Sequence, residues 1–262
     1  MKPIGLFDSG VGGLTVARAL AERLPHRRLI YFGDTAHLPY GDKSPEAIQS
    51  YSRGIVDFLL SHDVEAIVVA CNTATAVAIE SLRAYIDPSV PLFNVIDPVV
   101  TEVARLHPQA VGVIGTRGTI ASEIYPRRIA AAGVSTRVST LATPLLVPII
   151  EEGLAHSPIL RTTLHHYLSQ PELQNIEYLI PGCTHYPLLT EEIQAFYGPS
   201  VQLLDAPALV AQSVAEALEP NGNANLPATT DHRFFVSDYT PTFQHIARQF
   251  FGSEVALELV SL

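Results

Sequence analysis

The sequence has few charged residues and no stripe of basic ones. Lysine, arginine, aspartate and glutamate make up 16% of the 262 residues, and the formal net charge is −10. Nucleic-acid binding needs a clustered basic surface, so we expect no nucleic-acid partner, although the local field of a site can still favour a small anion. No apolar run approaches the ~18 residues that a membrane helix needs, and we expect no membrane partner.

Lysine and cysteine are also scarce, with two of each. Lys2 and Lys43 lie away from plausible pockets at predicted strand ends, so the sequence offers no marker of a pyridoxal-phosphate site. Residues 1–5 lead directly into a predicted strand, without the apolar core of a signal peptide. We therefore expect a cytoplasmic location, where two cysteines remain thiols rather than forming a structural disulfide.

Both cysteines follow a predicted buried strand and precede a predicted helix. The β-branched residues 67–69 lead into Cys71, and the apolar residues 179–180 lead into Cys183, 112 residues later (183 − 71 = 112). In open α/β sheets, ligands bind at the carboxyl ends of the strands. We therefore predict that the two thiols face one another across a single substrate.

Two further landmarks repeat at nearly the same spacing. Residues 5–9 are echoed by residues 112–116, at an offset of 107 (112 − 5 = 107), and Asp97 before a proline is echoed by Asp205, at an offset of 108 (205 − 97 = 108). Three landmarks in the same order predict a duplicated α/β fold. We expect two pseudo-symmetric parallel-sheet domains that face each other across a central active-site cleft.

The predicted first domain comprises residues 1–97 plus 208–262, and the second comprises residues 98–207. A hydrophobic content of 47% is ample for such a core. The clearest loop, the Asn/Pro-rich stretch at residues 220–227, precedes a terminal unit that we expect to return to the first half. In the second half, the apolar pattern predicts a strand at residues 134–138.

Two thiols in one cleft are suited to inverting a stereocentre that bears an acidic C–H. One thiolate removes the proton, and the opposite thiol delivers another to the far face. Free cysteine titrates near ~8.5, so each thiol needs a partner. Asp8 is the candidate for Cys71, because it ends the first predicted strand, and His185 is the candidate for Cys183. His185 could instead be a core or substrate-binding histidine.

The resulting carbanion needs hydrogen-bond donors around the substrate carboxylate. The glycine-rich turn at residues 10–13 supplies backbone N–H groups, although an ordinary tight turn would look the same. Tyr40 and Gly41 could offer a hydroxyl and a backbone N–H. The adjacent acids Glu151 and Glu152 end an apolar segment and are either solvated or directed into the cleft. Further suitable side chains are those of Ser9, Asn72, Thr73 and Thr184.

Four stretches of the chain, in order, resemble the glutamate racemases of the cofactor-independent aspartate/glutamate racemase superfamily. They are residues 7–16, 33–41, 70–75 and 182–189. The resemblance implies interconversion of L- and D-glutamate, with no cofactor and no metal, to supply D-glutamate for peptidoglycan. It also implies two α/β domains around a buried site.

The same resemblance implies roles for individual residues. Cys71 and Cys183 match the two acid/base residues, and Asp8 and His185 match the pair that assists them. The family's glutamate falls at Glu151 or its neighbour, and we assign it to Glu151. The substrate-binding pairs implied are Asp8-Ser9, Tyr40-Gly41, Asn72-Thr73 and Thr184-His185.

Three other functions remain open at this point. A racemase of aspartate or another amino acid would use the same two cysteines, because one methylene is worth only ~1–3 kcal/mol in a pocket. A non-catalytic, two-lobed amino-acid binding protein would not need the thiols. A zinc enzyme would use Cys71, Cys183 and His185, although a Cys-x-His spacing is uncommon for zinc. The sequence does not fix the oligomeric state, and a homodimer is compatible with it.

Overall fold

A computed structural model describes residues 1–220 and 226–262, so most of the predicted Asn/Pro-rich loop, residues 221–225, lies outside the described residues. The described residues form ten β-strands and eleven α-helices. The strands are β1 (Ile4–Asp8), β2 (Leu29–Gly33), β3 (Ala66–Val69), β4 (Leu92–Asn94), β5 (Ala110–Gly115), β6 (Arg137–Ala142), β7 (Tyr178–Gly182), β8 (Gln202–Leu203), β9 (Arg233–Val236) and β10 (Leu257–Leu259).

Most helices follow a strand, as expected for parallel α/β units. They are α1 (Leu14–Arg23), α2 (Pro45–Ser61), α3 (Asn72–Tyr85), α4 (Asp97–Leu106), α5 (Arg117–Ala121), α6 (Ile124–Ala131), α7 (Leu146–Glu151), α8 (Pro158–Leu168), α9 (Thr190–Tyr197), α10 (Ala206–Leu218) and α11 (Pro241–Phe251). Helix α2 begins at residues that favour a helix start. The Ser44 hydroxyl accepts a hydrogen bond from the backbone N–H of Ala47, and Pro45 occupies the first helical position.

The strands form two parallel sheets whose shared part has the same order. The six-stranded sheet runs β10-β9-β2-β1-β3-β4, and the four-stranded sheet runs β6-β5-β7-β8. The order β2-β1-β3-β4 therefore matches β6-β5-β7-β8 strand for strand, and every pairing is parallel. We call the six-stranded sheet with its helices (residues 4–94 and 233–259) the first lobe, and the four-stranded sheet with its helices (residues 110–203) the second lobe. The prediction of two pseudo-symmetric parallel-sheet α/β halves is confirmed.

The terminal unit extends the first sheet. Strand β9 pairs with β2 in parallel register, with Phe234 opposite Tyr31, and β10 adds a further edge strand. Helix α11 packs on α1. The domain boundaries predicted above, residues 1–97 plus 208–262 and residues 98–207, remain a prediction.

One strand of the second lobe was misplaced by the sequence pattern. Residues 134–138 were expected to form a strand, whereas β6 begins at Arg137 and continues to Ala142. Strand β6 is an edge strand, and its side chains are half-buried or exposed. Polar residues such as Ser139 and Thr140 are tolerated there, so the strand lacks the apolar run that marks a central one. None of the helices in the part of the chain that the structure describes is long and apolar enough to cross a membrane.

Candidate active site

The carboxyl ends of β3 and β7, equivalent strands of the two lobes, open onto one cavity of about 230 Å³ that both cysteines line. Cys71 follows β3 and Cys183 follows β7. Both thiols are free and buried. The other predicted site residues that line the cavity are Ser9, Tyr40, Gly41, Asn72, Thr73, Glu151, Thr184 and His185.

Cys71 is the N-cap residue of α3. Its sulfur accepts a hydrogen bond from the backbone N–H of Ala74 at 3.4 Å, and its S–H donates to Ser9 Oγ at 3.6 Å. Burial raises the pKa of Cys71 to about 12, and the negative charge of nearby Asp8 adds to the rise. Cys71 is therefore held as the neutral thiol, the form that can deliver a proton.

Asp8 ends β1, next to β3, and is 1% exposed. One carboxylate oxygen accepts from the backbone N–H of Gly10 at 2.8 Å, and the other accepts from the Thr184 hydroxyl at 3.2 Å. Burial raises the pKa of Asp8, while the positive charge of His185 and these hydrogen bonds oppose the rise. The carboxylate thus joins the first lobe to Thr184 of the second lobe, and Thr184 lines the cavity.

Cys183 has a different neighbourhood. Its sulfur lies 3.7 Å from His185 Nδ1, and His185 Nε2 lies 3.0 Å from Glu151 Oε1. Burial by itself lowers the pKa of His185, but the hydrogen bonds to Cys183 and Glu151 outweigh it and raise the pKa to about 10. A protonated imidazole between a thiol and a carboxylate supplies the countercharge for a thiolate at Cys183.

The His185 ring is fixed in place by the first lobe. Phe250 of α11 meets it edge-on, with ring centroids 5.0 Å apart and an interplanar angle of 81°. On another side, a Cβ placed on Gly12 would lie 2.4 Å from both Cε1 and Nδ1 of His185. Only a residue without a side chain fits at position 12, so the glycine-rich turn provides space for the histidine.

Glu151 and Glu152 differ in their exposure and in their contacts. The Glu151 side chain ends α7, is 27% exposed and contacts His185, whereas Glu152 is exposed. The adjacent acids thus point differently, and Glu151 alone of the two lines the cavity.

Tyr40 and Gly41 also line the cavity. The Tyr40 hydroxyl donates to Asp34 Oδ2 at 2.6 Å, and burial raises the pKa of Tyr40, so the hydroxyl remains a committed donor. Asp34 is itself buried and also accepts from His37 and Ser237. The Tyr40 hydroxyl that sequence reasoning offered to a ligand is therefore already engaged within the protein.

Asn72 and Thr73 are held by hydroxyl groups of the second lobe. The Tyr125 hydroxyl donates to Asn72 Oδ1 at 2.7 Å. Thr73 Oγ1 lies 2.8 Å from Thr116 Oγ1 and 3.2 Å from Thr119 Oγ1. Sequence reasoning missed these three second-lobe residues as parts of the site.

A signal for one of them was present in the sequence. The 107-residue offset that aligns residues 5–9 with 112–116 makes Thr116 the equivalent of Ser9 in the repeat, because 9 + 107 = 116. Both residues line the cavity. Tyr186 and Thr143, whose hydroxyl oxygens are 2.7 Å apart, also line it and carry no comparable signal.

The arrangement bears on the zinc alternative. Within residues 1–220 and 226–262, no group of three or more His, Cys, Asp or Glu side chains is arranged to hold a metal ion. Cys71, Cys183 and His185 therefore do not form a shared ligand set. What the cavity brings together is two thiols, an imidazole, the Glu151 carboxylate and a set of hydroxyl and amide groups.

Known proteins are similar to this chain in sequence and in fold. A family model described as Asp/Glu/Hydantoin racemase matches residues 14–214. The glutamate racemase of Syntrophus aciditrophicus is 44% identical over 256 residues, covering 96% of this chain and 93% of that protein. Each of these matches spans most of the chain, including both cysteines.

Solved structures give the same result. Glutamate racemase from Francisella tularensis in complex with D-glutamate matches with a TM-score of 0.90 at 36% identity, over 99% of this chain and 97% of that one. Glutamate racemase from Thermus thermophilus in complex with β-chloro-D-alanine matches with a TM-score of 0.87 at 41% identity, over 100% and 97%. The chain therefore belongs to the aspartate/glutamate racemase family, and within it to the glutamate racemases, which are amino-acid isomerases.

Proposed function

We propose that this enzyme interconverts L- and D-glutamate without a cofactor, by a two-base mechanism in which Cys71 and Cys183 act from opposite faces of the α-carbon. The observation that carries the proposal is that both thiols, at equivalent ends of duplicated sheets, line one cavity. A volume of about 230 Å³ suits a small amino acid rather than a larger ligand.

The proton balance of the reaction is simple. A thiolate on one side removes the α-proton, and the electron pair of the broken C–H bond moves into the α-carboxylate as an enolate-like anion. The thiol on the other side then transfers its proton to the opposite face. The configuration at the α-carbon is inverted, and the two cysteines have exchanged protonation states.

The two sides are prepared differently for these steps. Cys71 is held as the neutral thiol, because burial and Asp8 raise its pKa to about 12. Cys183 lies beside a His185 ring whose pKa is raised to about 10. We propose that Asp8 assists Cys71 and that His185, held by Glu151, assists Cys183. The ammonium group of a bound substrate would offset the charge of Asp8 and ease ionisation of Cys71.

Donors aimed at the substrate carboxylates bind the amino acid, and those that reach the α-carboxylate also stabilise the carbanion. The proposed binding residues are the pairs named from the sequence: Asp8-Ser9, Tyr40-Gly41, Asn72-Thr73 and Thr184-His185. All but Asp8 line the cavity. Because the Tyr40 hydroxyl donates to Asp34, we assign the direct contact at that pair to the backbone rather than the phenol.

The test is racemisation by purified protein, followed by circular dichroism from either pure enantiomer of glutamate, with chelator present and no pyridoxal phosphate added. The wild type should reach the racemic mixture from both sides. Cys71→Ser and Cys183→Ser should each lower the rate by about 10²–10⁴-fold, as expected for loss of a general acid or base. Full activity in either single variant would contradict the two-base mechanism.

Aspartate is the necessary comparison substrate. The relatives at high identity are named as glutamate racemases, and we propose glutamate as the preferred substrate. Faster turnover of aspartate would overturn that choice while leaving the two-thiol chemistry intact. We further propose that the D-glutamate serves peptidoglycan synthesis; the cytoplasmic location and the homodimer remain predictions.

A further inference from the structure

Tyr125 connects the second lobe to a substrate-binding residue of the first. It lies in the first turn of α6 and is 1% exposed. Its hydroxyl donates to Asn72 Oδ1 at 2.7 Å, across 53 residues of sequence. The edge of its ring packs on the strand that leads to Cys183, since a Cβ on Gly182 would lie 3.3 Å from Tyr125 Cε2.

This hydrogen bond selects one orientation of the Asn72 carboxamide. An asparagine side chain carries an acceptor on one branch and two donors on the other. Because Tyr125 engages the carbonyl branch, the NH₂ branch is free of that contact, and Asn72 lines the cavity that holds both thiols. The reversed amide would present a carbonyl oxygen to the anionic substrate, which would repel it.

The Tyr125 hydroxyl keeps its proton near neutral pH and can therefore act as a hydrogen-bond donor. Burial raises the pKa of Tyr125, and the charge of nearby Cys183 adds to the rise. Among the described residues, Asn72 is the hydrogen-bond partner of the Tyr125 hydroxyl. The Tyr125 hydroxyl therefore donates its hydrogen bond to the Asn72 carboxamide oxygen.

We propose that Tyr125 is a positioning residue for substrate binding: from the second lobe, it holds the Asn72 amide with its N–H groups directed at a carboxylate of the bound amino acid. The inference rests on the proposed function, because it takes Asn72 as a substrate ligand. It makes the orientation of a first-lobe binding residue depend on a hydroxyl group of the second lobe.

The experiment uses Tyr125→Phe, which keeps the ring and removes the hydroxyl. Tyr197→Phe is the matched control, because the Tyr197 hydroxyl donates to the carbonyl of Leu173 at 3.4 Å, away from the cavity. Calorimetry measures the Kd for glutamate, and the racemisation assay gives KM and kcat. We expect Tyr125→Phe to raise Kd and KM about fivefold with kcat within about twofold of wild type, and Tyr197→Phe to leave all three unchanged.

A merely structural role is separated by a double-mutant cycle with Asn72→Ala. If Tyr125 acts through Asn72, Tyr125→Phe should change Kd by less than about 1.5-fold in the Asn72→Ala background, because the contact that the two residues share is already lost there. An unchanged Kd in Tyr125→Phe alone, or the same fivefold effect with and without Asn72, would overturn the proposal. If the wild type binds glutamate but does not racemise it, the proposed function fails while the Kd comparison still decides the role of Tyr125.

Discussion

Gly12→Ala is the change that tests most sharply how the two lobes fit around His185. The new Cβ would lie 2.4 Å from Cε1 and Nδ1 of the ring and 2.8 Å from Thr184 Oγ1. The φ angle of Gly12 lies outside the left-handed region, so alanine is not strained there by a positive φ. A loss of activity therefore comes from the overlap itself.

The size of the effect follows from the distances. To reach an ordinary contact of 3.4 Å, the ring must move by about 1.0 Å (3.4 − 2.4 = 1.0). The ring is bounded by Cys183 at 3.7 Å and Glu151 at 3.0 Å, so this movement disturbs both contacts. A misplacement of about 1 Å can reduce a rate by ~10²-fold, and overpacking typically lowers the free energy of unfolding by ~1–3 kcal/mol.

Gly54→Ala is the matched control. Gly54 lies inside α2, and a Cβ added there would meet no atom within 4 Å. Alanine should therefore raise the free energy of unfolding by ~0.5–1 kcal/mol and leave activity unchanged. Denaturant unfolding and initial racemisation rates measure the two quantities for each variant. A Gly12→Ala enzyme with wild-type kcat and wild-type stability would refute the account of how His185 is held.

Two further changes test the charges of the site. Burial raises the pKa of Asp8 above its unfolded value of 3.8, so the folded protein loses stability as the pH rises above 3.8. Asp8→Asn should therefore unfold at a higher temperature than wild type near neutral pH. Differential scanning calorimetry should show that this difference in unfolding temperature disappears below pH 3.8. Glu151→Gln should lower kcat and reduce stability most below pH 6.5, where His185 is charged in both states, with the stability difference shrinking as the pH rises through about 10. Glu152→Gln is its control and should match wild type in both rate and unfolding free energy; equal effects of the two glutamine variants would count against the contact between Glu151 and His185.

The sequence could predict those site residues that follow a repeated strand pattern or lie at the ends of neighbouring strands. Cys71 and Cys183 could be located because each follows an apolar strand at an equivalent place in a duplicated fold. Asp8 could be paired with Cys71 because neighbouring strands of a parallel sheet end at the same edge. The choice of Glu151 over its neighbour came from the resemblance, since two adjacent acids give no local pattern that separates them.

The contacts that sequence did not reveal are long-range. Tyr125 reaches Asn72 across 53 positions, and Thr116 reaches Thr73 across 43. Such pairs depend on how the lobes dock, which no periodicity within one helix or strand encodes. The commitment of the Tyr40 hydroxyl to Asp34 was hidden for another reason: the loop lacks a regular period, so its side-chain directions cannot be read from residue spacing.

Solvent-deuterium labelling shows whether two thiols act from opposite faces of one α-carbon. L-Glutamate and, separately, D-glutamate are incubated with the wild-type enzyme in D2O, and both enantiomers are recovered at low conversion and analysed by mass spectrometry. If two thiols act, deuterium should be found at the α-carbon of the product enantiomer and almost none in the recovered substrate, in both directions. Equal labelling of substrate and product from the earliest times, or product that retains the original proton, would contradict the two-base mechanism.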